Sequence, residues 1–223
     1  MKKYAVLVAG GSGTRMGSAV PKQFLELAGK PVLLHSIEKF LGAFFDIEII
    51  LVIHPSFIEQ AKALIQPLAA ASKISIIPGG ETRFHSVKKG VNQVKEDSVV
   101  FVHDAVRCLV SESLIHCCYE QALTKGSAIP AVSITDSVRI LDSNATKVID
   151  RNLLKAIQTP QTFRSEIILP AFEQEYNNAF TDEATVVEAS GHEVFLIEGE
   201  KENIKITVPA DLIIAENLLQ KIQ

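Results

Sequence analysis

Apolar residues recur along the chain in two rhythms. Short runs without alternation occupy residues 4–9 (YAVLVA), 47–53, 74–77, 99–102 and 128–132. A strand with one wet face alternates, so these runs predict strands covered on both faces, as in a parallel sheet between helices. Between them lie segments with a 3.6-residue stripe. Residues 32–41 set Leu33, Leu34, Ile37 and Leu41 on one side, and 57–68, 83–94, 113–123, 182–189 and 209–222 behave likewise. Thr181-Asp182-Glu183 reads as a helix cap with acids in the first turn. Pro209 suits the first turn of the last helix, with Thr207 as its cap. The β-α-β-α order predicts an α/β fold, a doubly wound, mostly parallel, Rossmann-like sheet.

Residues 133–158 break that order. Residues 137–141 and 147–150, around the turn Asp142-Ser143-Asn144, predict a β-hairpin arm projecting from the sheet. With no repeat, low-complexity tract or linker, residues 1–223 read as a single domain including the arm.

Composition narrows the choice. With 47% hydrophobic and 22% charged residues the chain is an ordinary globular one, and disorder is excluded. Lys and Arg number 22 against 26 Asp and Glu, with no basic stripe, so nucleic acid is not an expected partner. A polyanionic ligand must be held by a few placed cations. Three cysteines without a CxxC spacing suggest neither a disulfide framework nor a zinc site, but a reducing compartment. No stretch suits a membrane span, and Lys2-Lys3 with the short run after them lacks a signal-peptide cleavage pattern. A soluble, cytoplasmic protein is expected.

The candidate chemistry follows the ends of predicted strands. After the first comes Ala9-Gly10-Gly11-Ser12-Gly13-Thr14-Arg15-Met16-Gly17, whose glycines let backbone N–H groups close around phosphate oxygens. It lacks the third glycine of the dinucleotide fingerprint and the Gly-Lys-Ser/Thr of a Walker A loop. Arg15 and Lys22, within Pro21-Lys22-Gln23, suit a triphosphate, although the same residues could form a turn with solvated charges. Gly79-Gly80-Glu81-Thr82-Arg83 follows the third strand, with Ser86 a turn on from Arg83. His103-Asp104-Ala105-Val106-Arg107 ends a very apolar strand, and an acid there is placed to hold Mg²⁺. His103 reads as a hydrogen-bonded packing residue rather than a general base.

Ala-Gly-Gly-x-Gly-Thr-Arg-Met followed by Pro-Lys-Gln resembles the sugar-phosphate nucleotidyltransferases, and Pro-Lys-Gln narrows this to cytidylyltransferases acting on polyol phosphates. The resemblance runs nearly end to end. Arg151 in the context Asp150-Arg151-Asn152 favours the 2-C-methyl-D-erythritol 4-phosphate family, whereas Gln158-Thr159-Pro160-Gln161 is shared with the ribitol-phosphate enzymes. Ribitol-5-phosphate cytidylyltransferases, which share the loop but generally lack the Asp-Arg pair, remain an alternative, as does a noncatalytic nucleotide-binding module.

The resemblance implies transfer of CMP from CTP to the acceptor phosphate in isoprenoid precursor synthesis. It implies that Arg15, Lys22 and Lys205 are catalytic and that Ala9, Gly10, Gly11, Gly13, Gly80, Glu81, Ser86 and Ala105 bind the nucleotide. It assigns the acceptor to Asp104, Arg107, Ser137, Arg151 and Thr159, Mg²⁺ to Asp104, and Asn203 to the vicinity of Lys205. It further implies a homodimer in which Arg151 reaches the other subunit's site. Where the family has proline after Arg107, this chain has Cys108.

Overall fold

The structure, a computed structural model, describes residues 1–10, 20–142 and 145–222. Gly11, Gly13 and Arg15, and residues 143 and 144 of the expected turn, lie outside the described residues.

Strand β1 (Lys2–Ala9) is central. A short hairpin, β2 (Glu26–Leu27) and β3 (Lys30–Pro31), leads to α1 (Val32–Ala43) and to β4 (Glu48–Ile53) beside β1. Helix α2 (Ile58–Ile65) crosses to the edge strand β5 (Ile74–Pro78), and α3 (Arg83–Val91) returns the chain to β6 (Ser98–Asp104) on the other flank of β1. These four strands are parallel. The chain therefore switches direction between β1 and β6, where an open α/β sheet leaves a crevice at its carboxyl edge. Helix α4 (Glu112–Lys125) leads to β7 (Ser127–Ser133), and Gly126 ends that helix at φ 88°, a left-handed conformation glycine adopts without a Cβ clash.

The unbroken apolar runs have a direct cause. In β1, Ala5, Leu7 and Ala9 face the core beneath α1 and α4, while Tyr4 and Val6 face the core that includes Phe84, Val87 and Val91 of α3. Both faces are covered, so neither set is polar.

Beyond β7 the chain forms the arm, β8 (Val138–Asp142) antiparallel to β9 (Ala145–Ile149), a two-stranded sheet separate from the main one. Its return limb, β10 (Lys155–Ile157), rejoins the main sheet beside β7, so the projecting part is shorter than the 133–158 expected. Strand β11 (Gln161–Arg164) continues along β7, with the register slipping by two residues across Gln158, Thr159 and Pro160, and fills the gap between β6 and β7 antiparallel to both.

Helices α5 (Ser165–Ala171) and α6 (Glu183–Ala189) follow, and β12 (Leu196–Glu198) adds a parallel strand to β7. Asp182 caps α6 in a reciprocal pair with Thr185, as expected. The last helix, α7 (Pro209–Ile222), departs from expectation. Its start is fixed by Asp211, whose carboxylate accepts from Thr207 N–H, Thr207 Oγ1 and Val208 N–H, so Thr207 is the donor rather than the cap. Cys108 packs with Leu27, Val106, Leu109, Ile206 and Ala215, and burial pushes its thiol up to about 12. It acts as a small apolar residue where the resembled family has proline.

Candidate active site

The carboxyl ends of β1, β4, β5 and β6 share one edge, because Val8 pairs with Asp104, Ala9 with Ile53, and Ile53 with Pro78. The residues following these strands line a cleft of about 500 Å³. It takes Ala9 and Gly10 from β1, Gly80, Glu81, Arg83 and Ser86 from the start of α3, and Asp104 from the end of β6. Lys22 and Lys205 enter from sequence positions far apart.

Each wall has a local cause. Ser86 Oγ accepts from Gly80 N–H at 3.0 Å and donates to the Thr82 carbonyl at 3.0 Å, tying the glycine turn to α3. A side chain at Gly80 would put its Cβ 2.4 Å from His85 Cβ, so glycine is required for this close approach. Buried Gln23 donates to the Ala9 carbonyl at 3.1 Å, and buried Lys22 donates to the Ile206 carbonyl at 3.1 Å. Ile206 N–H in turn donates to the Val106 carbonyl. These bonds hold residues 204–207 beside the strand ends without making a strand of them.

Charge is concentrated on Asp104. Its Oδ2 lies 2.8 Å from Lys205 Nζ and 3.8 Å from Arg107 Nε, and its Oδ1 lies 3.2 Å from Arg83 Nε. Burial would raise this carboxyl's pKa, but Arg83, Lys205 and Arg107 outweigh it and hold it far below the usual carboxylate range. Arg83 also forms a two-pronged ion pair with fully buried Glu183 at the start of α6. Burial opposes the Arg83 charge, yet Glu183 and Asp104 raise its pKa, while burial pushes the Glu183 carboxyl up against the pull of Arg83. Around Asp104 three cations, Arg83, Arg107 and Lys205, thus meet two carboxylates, Asp104 and Glu183.

Arg83 and Glu183 are site residues that the sequence reading missed. The sequence places Arg83 at the end of a glycine turn and reads Thr181-Asp182-Glu183 as a helix cap, and neither reading joins the two. One hundred positions separate the partners, and no local pattern distinguishes Glu183 from an ordinary first-turn acid.

Other expected positions sit outside the cleft lining. Ala105 is fully buried, its N–H on the Val8 carbonyl and its carbonyl on Ser36 Oγ. Arg107 donates to the Asn203 carbonyl at 2.8 Å, and buried Asn203 donates to the Thr159 carbonyl. Thr159 is buried, with its hydroxyl bonded on both sides. Ser137 and Arg151 are exposed at the base of the arm, where Arg151 donates to the Thr135 carbonyl. His103 is fully buried, bonded through both ring nitrogens, and held neutral by burial with a pKa down to about 4. It is no general base for the cleft.

Among the described residues no cluster of three or more His, Cys, Asp or Glu side chains could cage a metal ion. A lone strand-end carboxylate nonetheless fits Mg²⁺, which binds through one or two carboxylates plus substrate phosphates. Nor does any helix of the described residues have the length and apolarity to cross a membrane.

A doubly wound sheet with Gly10 at the end of β1, Gly80 after β5 and a carboxylate set among cations at the switch point defines a nucleotidyltransferase-type site. The model of a family described as 2-C-methyl-D-erythritol 4-phosphate cytidylyltransferase matches residues 4–221. A relative of that name from Phocaeicola vulgatus is 47% identical over 98% of this chain and 100% of its own length. Among solved structures, 4-diphosphocytidyl-2C-methyl-D-erythritol synthase from Anaerococcus prevotii superposes with a TM-score of 0.85 at 28% identity, covering 98% of this chain and 96% of that one. The Francisella tularensis 2-C-methyl-D-erythritol 4-phosphate cytidylyltransferase gives 0.80 at 34% identity, covering 96% and 98%. The chain belongs to the 2-C-methyl-D-erythritol 4-phosphate cytidylyltransferase family and is an enzyme of the cytidylyltransferase kind.

Proposed function

We propose that the cleft transfers CMP from CTP to 2-C-methyl-D-erythritol 4-phosphate, giving 4-diphosphocytidyl-2-C-methyl-D-erythritol and pyrophosphate, as a cytoplasmic step in isoprenoid precursor synthesis. The observation that carries this is the convergence of Lys22, Asp104 and Lys205, from three distant segments, on one cleft beside Gly10 and Gly80.

The acceptor is a phosphate monoester whose second pKa is about 6, so its oxygen is already anionic at pH 7. That oxygen attacks the α-phosphorus, the new O–P bond forms as the bond to the β-phosphate bridge breaks, and pyrophosphate leaves with the bridging oxygen. No proton need be removed, so the transfer requires no general base. The obstacle is repulsion between two polyanions, so catalysis consists of positioning and charge neutralisation.

Lys205 neutralises the α-phosphate, and Lys22, with Arg15, holds the triphosphate and the departing pyrophosphate. Arg107 orients the acceptor phosphate, and Ser137 and Arg151 reach it from the arm of a second copy in a homodimer. Exposed Leu141, Val148 and Leu153 on and beside the arm support such pairing. Mg²⁺, held by Asp104 and the phosphate oxygens, would supply further charge neutralisation. For that, Lys205 gives up Asp104 Oδ2 and turns to the α-phosphate.

Pyrophosphate release measured with four nucleoside triphosphates against methylerythritol phosphate and ribitol 5-phosphate tests this reading. Turnover confined to CTP with methylerythritol phosphate is expected. Equal turnover of ribitol 5-phosphate, or none with either acceptor, contradicts it.

A further inference from the structure

Behind the cleft wall a line of buried polar groups joins the backbone of Asp104 to that of Arg107. Asp104 N–H donates to Thr159 Oγ1 at 3.1 Å, that oxygen lies 3.0 Å from His103 Nδ1, and His103 Nε2 lies 3.1 Å from the Arg107 carbonyl. The two ends fix the direction of every hydrogen, because a backbone N–H only donates and a carbonyl only accepts. In a neutral ring, Nε2 therefore carries the hydrogen and donates to Arg107. Thr159 accepts from Asp104 and gives its own hydrogen to Nδ1.

The turn that this line spans is tight. Arg107 N–H donates to the Asp104 carbonyl at 2.9 Å, Ser36 Oγ holds the Ala105 carbonyl at 2.8 Å, and the Phe40 ring meets the imidazole edge-on at 5.1 Å. None of these anchors lines the cleft, whereas Asp104 does, with Oδ1 on Arg83 and Oδ2 on Lys205 and Arg107.

We propose that His103, as its Nε2–H tautomer, is a positioning residue for the transfer: with Thr159 it braces the 104–107 turn and fixes where Asp104 and Arg107 present their side chains. This rests on the reading of the cleft as the transfer site. Thr159 works in the same brace through its hydroxyl. The brace matters because a 1 Å misplacement at a reacting centre costs on the order of 10²-fold in rate.

The wild-type enzyme with ¹⁵N-labelled histidine is examined by NMR for its ring tautomers, and kinetics are measured for His103→Phe, Thr159→Val and Thr159→Ser. His103→Phe keeps the ring volume and the Phe40 contact but loses both hydrogen bonds. The expected results are an Nε2–H tautomer and kcat lowered about 10- to 100-fold in His103→Phe and Thr159→Val. Thr159→Ser should stay within about threefold of wild type, since it keeps the hydroxyl. An Nδ1–H tautomer, a folded His103→Phe with wild-type kcat, or a Thr159→Ser as impaired as Thr159→Val overturns the proposal. Should His103→Phe not fold, the tautomer and the threonine pair decide. The tautomer is read without substrate, and wild-type turnover tests the transfer reading separately, so the two cannot fail unnoticed together.

Discussion

Single side chains divide into those that meet substrate and those that hold them. On the proposed reading Lys22 and Lys205 belong to the first group, and Lys22 also holds the Ile206 carbonyl. Lys205→Ala and Lys22→Ala should each lower kcat about 10²-fold, with little change in thermal midpoint for Lys205→Ala and a modest fall for Lys22→Ala, measured by steady-state kinetics and calorimetry. Near-wild-type turnover in either folded variant would remove that lysine from the site. His103 gives a pH signature. Its pKa falls from 6.5 to about 4 on burial, so between those values the unfolded chain binds a proton that the folded chain refuses. Its contribution is complete above pH 6.5 and falls by about 3 kcal/mol as pH drops to 4. Urea unfolding of wild type and His103→Phe from pH 7.5 to 4.5 should show the steeper loss in wild type, and parallel curves would contradict it. Legibility at this scale followed proximity in sequence. Gly10, Gly80, Ser86 and Asp104 stand at strand ends that the apolar runs announce. Arg83 with Glu183 required knowing which distant segments meet, and the brace through Thr159 required the path of β11.

Elements carry these residues to one edge, and their packing is tight enough to test. Gly90 of α3 crosses the sheet where an added Cβ would lie 2.4 Å from Val6 Cγ1. Gly90→Ala should therefore destabilise by about 1–3 kcal/mol despite alanine's better helix propensity, as denaturant titration would show. A gain in stability would mean that α3 can lift from the sheet without cost. The parallel strands and most helices were readable because burial on two faces, or along one stripe, leaves a periodic trace. Strand β11 was not readable. Its four residues include Gln161 and Thr162, polar yet buried, and Gln161 serves Asp182 and the Ala184 N–H of α6. A strand that short, with its polar groups satisfied by distant partners, carries no hydrophobic period. Helix α5 is brief and contains Pro170, which disguises it equally well.

At the scale of the whole molecule the arm bears on the proposed dimer. Leu141, Val148 and Leu153 are 81%, 74% and 79% exposed, a pattern that suits pairing with a second copy. Leu141→Glu with Val148→Glu should turn a dimer into a monomer in sedimentation velocity and lower turnover at fixed protein concentration. An unchanged sedimentation coefficient would remove the arm from the interface. Mixing Arg151→Ala with Lys22→Ala subunits should restore part of the activity if the arm reaches across, and no recovery would place each site within one chain. The most direct test of the central claim is ³¹P NMR of the reaction of CTP with acceptor labelled with ¹⁸O in its phosphate. Unlabelled pyrophosphate and two coupled phosphorus signals sharing a labelled bridge are the predicted result. Label in the pyrophosphate, or a product without the labelled bridge, would contradict attack of the acceptor phosphate on the α-phosphorus.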